Sequence, residues 1–157
     1  MPRQCSYPNV HLPAVKPYYS QSMEKGIQIR LAKQKDAETI REIYNHEVRN
    51  STATFDLVER TTEEQEEWLT ERSGAFSVLV AEMSNKILGF ASLSPYKSRA
   101  AYRTTVEDSI YINEEFRNQG IAGELLFHLL EVAKSSGFHA VIARIGGANE
   151  ASIALHQ

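Results

Sequence analysis

Tyr111-Ile112-Asn113-Glu114-Glu115-Phe116-Arg117-Asn118-Gln119-Gly120-Ile121-Ala122-Gly123-Glu124-Leu125-Leu126 carries an apolar strand through an RxxGxA turn and directly into an amphipathic helix. The first N–H groups of a helix have no partner inside it, and they sit at the positive end of its dipole, so such a turn binds an anion without a metal. Gly120 and Ala122 keep bulky side chains out of the approach. The run of N–H groups from Gln119 through Gly120 and Ile121 to Ala122, with Arg117 and Asn118 beside it, suits a pyrophosphate. The two commoner nucleotide fingerprints, GxxxxGK followed by Ser or Thr and GxGxxG, do not occur.

A chain of 157 residues that is 42% hydrophobic and 24% charged is the size of one globular domain with a substantial core. The formal net charge of −3 and the scatter of basic residues along the chain give no reason to expect nucleic-acid or membrane partners. Cys5 is the only cysteine, which excludes an internal disulfide framework and fits a reducing, cytoplasmic setting. No run approaches the roughly 20 apolar residues that span a bilayer. His11, His128 and His139 do not spell a metal-binding motif, so no metal is expected.

Residues 1–25 hold four of the five prolines and show no usable periodicity, so they read as a disordered or non-native extension, and residues 26–157 as the domain. Ile27, Ile29 and Leu31 alternate as a half-buried strand, and Asp36 offers a cap to a helix with Ala37, Ile40, Ile43, Tyr44 and Val48 on one face. Thr61 and Glu64 form a capping box for a short helix carrying Trp68 and Leu69. Phe76 to Met83 and Ile87 to Leu93 read as a hairpin around Ser84-Asn85-Lys86. A strand from Thr104 to Ile112 feeds the turn and a helix to Ser136, with Leu125, Leu126, Leu129, Leu130 and Ala133 inward and Gly137 closing it. Ala140 to Ile145 makes a further strand, and Asn149 opens a last helix. This order predicts an α/β domain with a mixed sheet rather than a doubly wound parallel one.

The arginine-led turn between strand and helix resembles the acetyl-CoA motif of the GNAT acetyltransferases. Thr105-Val106-Glu107-Asp108-Ser109-Ile110-Tyr111-Ile112, Lys97-Ser98-Arg99-Ala100-Ala101-Tyr102-Arg103 and Ile43-Tyr44-Asn45-His46 resemble the phosphinothricin/methionine sulfoximine acetyltransferase branch. The resemblance covers residues 27 to 157 and implies the GNAT fold, with acetyl-CoA as cosubstrate. Relatives continue with two more strands, so the domain is expected to be C-terminally incomplete, and a homodimer is expected only of the complete protein.

Acetyl transfer to an amine needs a grip on the coenzyme, a deprotonated amine, a polarised thioester carbonyl and a proton for the departing thiolate. The resemblance places carbonyl polarisation on the backbone near Tyr111 and Ile112, where strands splay around a bulge. It makes Glu107 the general base, while Asp108 points to the other side of the sheet and reads as a solvated carboxylate. Lys97, Arg99, Tyr102 and Arg103 would receive the acceptor's acidic group, Arg99 as a bidentate clamp. Phe55 and Tyr111 match aromatic pocket positions, and Asn149 and Ser152 match positions that touch the pantetheine arm and the thiol. His156 matches a histidine near the acceptor pocket, fit to act as a second base or as an acid for the thiolate. His46 reads as a packed helix residue.

The expected activity is N-acetylation of a small amino-acid-like substrate such as phosphinothricin, methionine sulfoximine or methionine sulfone, with detoxification as the implied role. The alternatives are a GNAT enzyme acting on another small amine and a non-catalytic acyl-CoA-binding module.

Overall fold

The computed structural model describes residues 26–72, 74–147 and 149–157. The expected extension, residues 1–25, lies outside them. Strand β1 (Gln28–Leu31) leads through a 3-10 turn to helix α1 (Ala37–Asn50) and helix α2 (Thr62–Glu71). Strands β2 (Val78–Met83), β3 (Lys86–Pro95) and β4 (Thr105–Ile112) follow, then helix α3 (Ile121–Ser135), strand β5 (Ala140–Ala143) and helix α4 (Glu150–Leu155). The described strands form one sheet in the order β1-β2-β3-β4-β5, antiparallel except for the parallel pair β4 and β5.

Two apolar clusters cover the faces of the sheet. On one face Leu79, Leu88, Leu93 and Val106 pack with Ile121, Leu125, Leu129 and Val132 of α3, all fully buried or nearly so. Burying each such aliphatic side chain is worth about 1.5–3 kcal/mol, so α3 holds its place mainly by this stripe. On the other face Ile40, Ile43 and Tyr44 of α1 pack with Val80, Phe90 and the partly buried Tyr111. Alternation along β4 therefore sends Val106, Ile110 and Ile112 toward α3, and Tyr111 toward α1.

Several local expectations are met by identifiable contacts. The Thr61 hydroxyl accepts from the Glu64 N–H at 3.2 Å and the Glu64 carboxylate from the Thr61 N–H at 2.8 Å, a complete capping box. The hairpin turns on Ser84 and Asn85 alone, both with positive φ (49° and 65°), and Lys86 already belongs to β3. Asn149 caps α4 by accepting from the Ser152 N–H at 3.1 Å.

Other expectations need correction. Asp36 stands at the start of α1 but makes no side-chain cap; its carboxylate takes Arg30 and the Lys33 N–H instead. On α3, Leu130 is 42% exposed and Leu126 only partly buried, while Ile121, Val132 and His128 turn inward. The helix rotates so that the stripe begun at Ile121 meets the sheet. β5 ends at Ala143, two residues short of the expected Ile145.

Gly89 on β3 is required by close approach. A Cβ there would lie 2.7 Å from the Tyr111 carbonyl oxygen and 2.6 Å from Cδ1 of Ile112. Gly123 has nothing within 4 Å of the equivalent position. Gly89→Ala is expected to lower the free energy of urea unfolding by about 1–3 kcal/mol, as overpacking between strands does. Gly123→Ala, in a helix, should leave it unchanged or raise it.

Candidate active site

β4 is longer than its parallel partner. The β4–β5 pairing runs from Thr105–Ala140 to Asp108–Ala143 and stops, whereas β4 continues to Ile112 against β3. The backbone shows which groups this releases. The Thr104 carbonyl accepts from His139 on the β5 side, while the Thr105 carbonyl accepts from Tyr96, and the Asn113 N–H donates to Leu88, on the β3 side. Since successive residues alternate, the N–H groups of Ile110 and Ile112 face away from β3, where β5 no longer follows. The Tyr111 N–H faces β3, so of the backbone expected at Tyr111 and Ile112 only Ile112, together with Ile110, turns a donor toward the gap. The expected bulge is elsewhere too: β3 pairs with β4 in unbroken register, and the register shift falls between Ala81 and Glu82 of β2.

A cleft of about 1370 Å³ opens at this splay. Glu107, Tyr111, Ile112, Phe55 and Arg144 line it together with Arg117, Asn118, Gly120, Ile121, Ala122, Asn149, Ser152 and His156. Twelve of the expected site residues thus share one cavity, while Gln119 is not among its lining residues.

The N-terminus of α3 forms one end of the cleft. Gly120 has φ +83°, in the left-handed region that glycine tolerates, and Asn118 has φ +60°. The Glu124 N–H is the first to bond back, to the Gly120 carbonyl at 3.3 Å, which leaves the N–H groups of Ile121, Ala122 and Gly123 for a ligand. No atom outside the local backbone lies within 4 Å of where a Cβ on Gly120 or Gly123 would sit, so the approach is open. Arg117 is already engaged: its Nη2 pairs with the buried carboxylate of Glu47 on α1, and its Nε donates to the Ile112 carbonyl at 3.3 Å.

On the α1 side, Glu107 meets a guanidinium. Arg144 Nη2 donates to both carboxylate oxygens, at 2.8 and 2.6 Å, and Nε donates to Oε1 at 3.0 Å. The Glu107 side chain is 16% exposed and that of Arg144, just past the end of β5, 62%. The carboxylate raises the Arg144 guanidinium above its ordinary pKa. Arg144 also stands 5.9 Å from the ring of Phe55, itself 64% exposed. Tyr111 is packed between Tyr44 and Phe90, with ring centroids at 5.3 and 5.2 Å, and burial pushes its hydroxyl up to about 12.

Asp108 overturns the expectation of a solvated carboxylate. Its side chain is 3% exposed, and Oδ2 lies 2.9 Å from Nε2 of His156. Nδ1 of the same ring lies 2.7 Å from the Ser152 carbonyl oxygen. Both ring nitrogens therefore lie within hydrogen-bond reach of oxygen atoms of the protein. Oδ1 of Asp108 is buried without a hydrogen-bond partner.

Lys97, Arg99 and Tyr102 do not reach this cleft. With Ser98 they line a separate recess of about 490 Å³, Lys97 lying 4.9 Å from the ring of Tyr96 and 5.4 Å from that of Tyr102. Arg103 lines neither cavity; its Nη1 donates to the Ala100 carbonyl at 3.5 Å. His46 pairs with Glu114 at 3.2 Å. Sequence reasoning passed over Arg144, Glu47 and the partner of Asp108. Pleat alternation placed Asp108 on the opposite face from Glu107, but nothing local announces that α4 ends there.

No group of three His, Cys, Asp or Glu among the described residues could hold a metal, and no described helix is long and apolar enough to cross a membrane. The model of the Acetyltransferase (GNAT) family matches residues 38–157. The chain is 33% identical to the L-amino acid N-acyltransferase MnaT of Escherichia coli, over 83% of this chain and 77% of that one. It is 33% identical to the phosphinothricin N-acetyltransferase of Streptomyces viridochromogenes (85% and 73% covered). It is 34% identical to the L-methionine sulfoximine/L-methionine sulfone acetyltransferase of Salmonella typhimurium (82% and 75%). A Sinorhizobium meliloti phosphinothricin acetyltransferase solved with acetyl-CoA superposes with a TM-score of 0.79 at 36% identity, covering 83% of this chain and 72% of that one.

A mixed sheet that parts at β4, with a helix N-terminus opening onto the gap, is the architecture of an acyl-CoA-dependent transferase. The chain belongs to the GNAT acetyltransferase family, and it is an N-acetyltransferase with acetyl-CoA as its cosubstrate.

The Asp108–His156 contact should be measurable without ligand. A double-mutant cycle of Asp108→Ala and His156→Ala, followed by urea unfolding, is expected to give a coupling energy of about 1–3 kcal/mol, the range for a hydrogen bond to a buried charged group.

Proposed function

We propose that the protein acetylates the amine of a small amino-acid-like substrate of the phosphinothricin, methionine sulfoximine or methionine sulfone type. One observation carries this reading: Glu107 and the unpaired N–H groups of Ile110 and Ile112 flank the same gap between β4 and β5, within a single cleft. The relatives' names support the substrate class.

The two faces of the splay divide the work. The α3 side, with the N–H groups of Ile121, Ala122 and Gly123, holds the pyrophosphate of acetyl-CoA, and Arg117 and Asn118 stand beside it. Asn149 and Ser152 border the pantetheine arm. The α1 side, with Glu107, Phe55 and Tyr111, receives the acceptor. Glu107 takes a proton from the acceptor ammonium, leaving the nitrogen lone pair to form the new N–C bond. The N–H groups of Ile110 and Ile112 stabilise the negative charge that gathers on the carbonyl oxygen as the nitrogen adds to the carbonyl carbon, until the C=O bond re-forms and the C–S bond breaks. His156, held at the cleft by Asp108 and the Ser152 carbonyl, is the residue placed to supply the proton of the departing thiolate. Detoxification of amino-acid analogues in the cytoplasm is the role this activity would serve.

The test is thiol release from acetyl-CoA with methionine sulfoximine, phosphinothricin, methionine sulfone and spermidine as acceptors. Turnover is expected with the first three and not with spermidine. Glu107→Gln should lower kcat by about 10²–10⁴-fold, the usual worth of a positioned base. Turnover with spermidine alone, or full activity in Glu107→Gln, would contradict this reading.

A further inference from the structure

We infer that Arg144 is a specificity residue: the Glu107–Arg144 ion pair is a template for a zwitterion, opened when an acceptor places its ammonium on Glu107 and its carboxylate on Arg144. The inference rests on the reading of the cleft as the acceptor site and adds the group that recognises the acceptor's acid.

The geometry supplies both halves. Glu107 stands on β4 and is mostly covered, whereas Arg144 lies beyond the end of β5 with its side chain 62% exposed. The guanidinium offers its fork, Nε and Nη2, to the carboxylate of Glu107, and a substrate carboxylate fits the same two donors. An α-amino acid carries opposite charges on adjacent positions. It can therefore enter the pair charge for charge, each protein group exchanging one partner for another.

An amine without a carboxylate gains Glu107 but leaves Arg144 without its partner. It must displace Arg144 from Glu107, where three hydrogen bonds join them, to reach the base, and it returns the guanidinium only to water rather than to a second carboxylate. The pair thus disfavours plain amines and polyamines while both oxygens of Glu107 are engaged. Phe55, 5.9 Å from the guanidinium, adds an apolar wall for the rest of the acceptor. The basic residues first expected to bind the acid, Lys97 and Arg99, line a different recess.

The experiment is calorimetric titration of the full chain, saturated with coenzyme A, with methionine sulfone and with its decarboxylated amine, for wild type, Arg144→Gln, Arg99→Gln and Glu107→Gln. Wild type is expected to prefer methionine sulfone by about 10–100-fold, as charge-assisted bidentate contacts allow. Arg144→Gln should bring the two ligands to within about threefold of each other, and Arg99→Gln should keep the wild-type preference. An unchanged preference in Arg144→Gln, no preference in wild type, no binding of either ligand, or loss of preference in Arg99→Gln would each overturn the inference. Thiol release by the same proteins is scored separately. Retained turnover in Glu107→Gln would remove Glu107 as the base and leave the Arg144 result standing.

Discussion

The parallel pairing of β4 with β5 ends at Asp108–Ala143, four residues before β4 itself ends at Ile112, and the site depends on that mismatch. A strand needs a neighbour on each side to satisfy its backbone in the interior of a sheet. Once β5 turns away, the N–H groups of Ile110 and Ile112 are held in place by β3 yet left without a strand to bond. Two rigid donors aimed into a cleft require no reorganisation when charge develops before them. β3 can hold β4 this closely because Gly89 removes the side chain that would strike the Tyr111 carbonyl.

The same gap joins the two faces of the sheet. In the proposed reading coenzyme and acceptor enter from opposite sides, the one along α3 and the other between α1 and residues Thr52 to Phe55, which line the cleft. Charges are arranged accordingly. Arg117 is tethered to the buried Glu47, Glu107 to the exposed Arg144, and the buried Asp108 to His156. Each carboxylate thus has a basic side chain within hydrogen-bond reach in partly buried surroundings. The Asp108–His156 pair also docks the last helix against β4.

Much of this was legible in the residues. The RxxGxA turn, the capping box at Thr61, the hairpin and the apolar stripe of α3 are local signals, spelled by neighbours a few positions apart. The length of β5 was not. Arg144 and Ile145 extend an apolar-looking strand, and only the path of the chain in space shows that pairing has stopped before them. Arg144 went unnoticed because its meaning lies in its distance from Glu107, 37 positions away in sequence. Asp108 was assigned the right face by pleat alternation, but its partner comes from the end of α4. Lys97 and Arg99 looked like an acid clamp by type and spacing, while the fold sends them to a separate recess.

Amide hydrogen exchange resolved by residue tests the central point most directly. In the free protein Ile110 and Ile112 should exchange much faster than Tyr111, and acetyl-CoA should slow at least one of the two while leaving Tyr111 unchanged. If Ile110 and Ile112 are as protected as Tyr111 from the outset, or stay unprotected at saturating acetyl-CoA, the splayed strand is not the element that receives the thioester carbonyl.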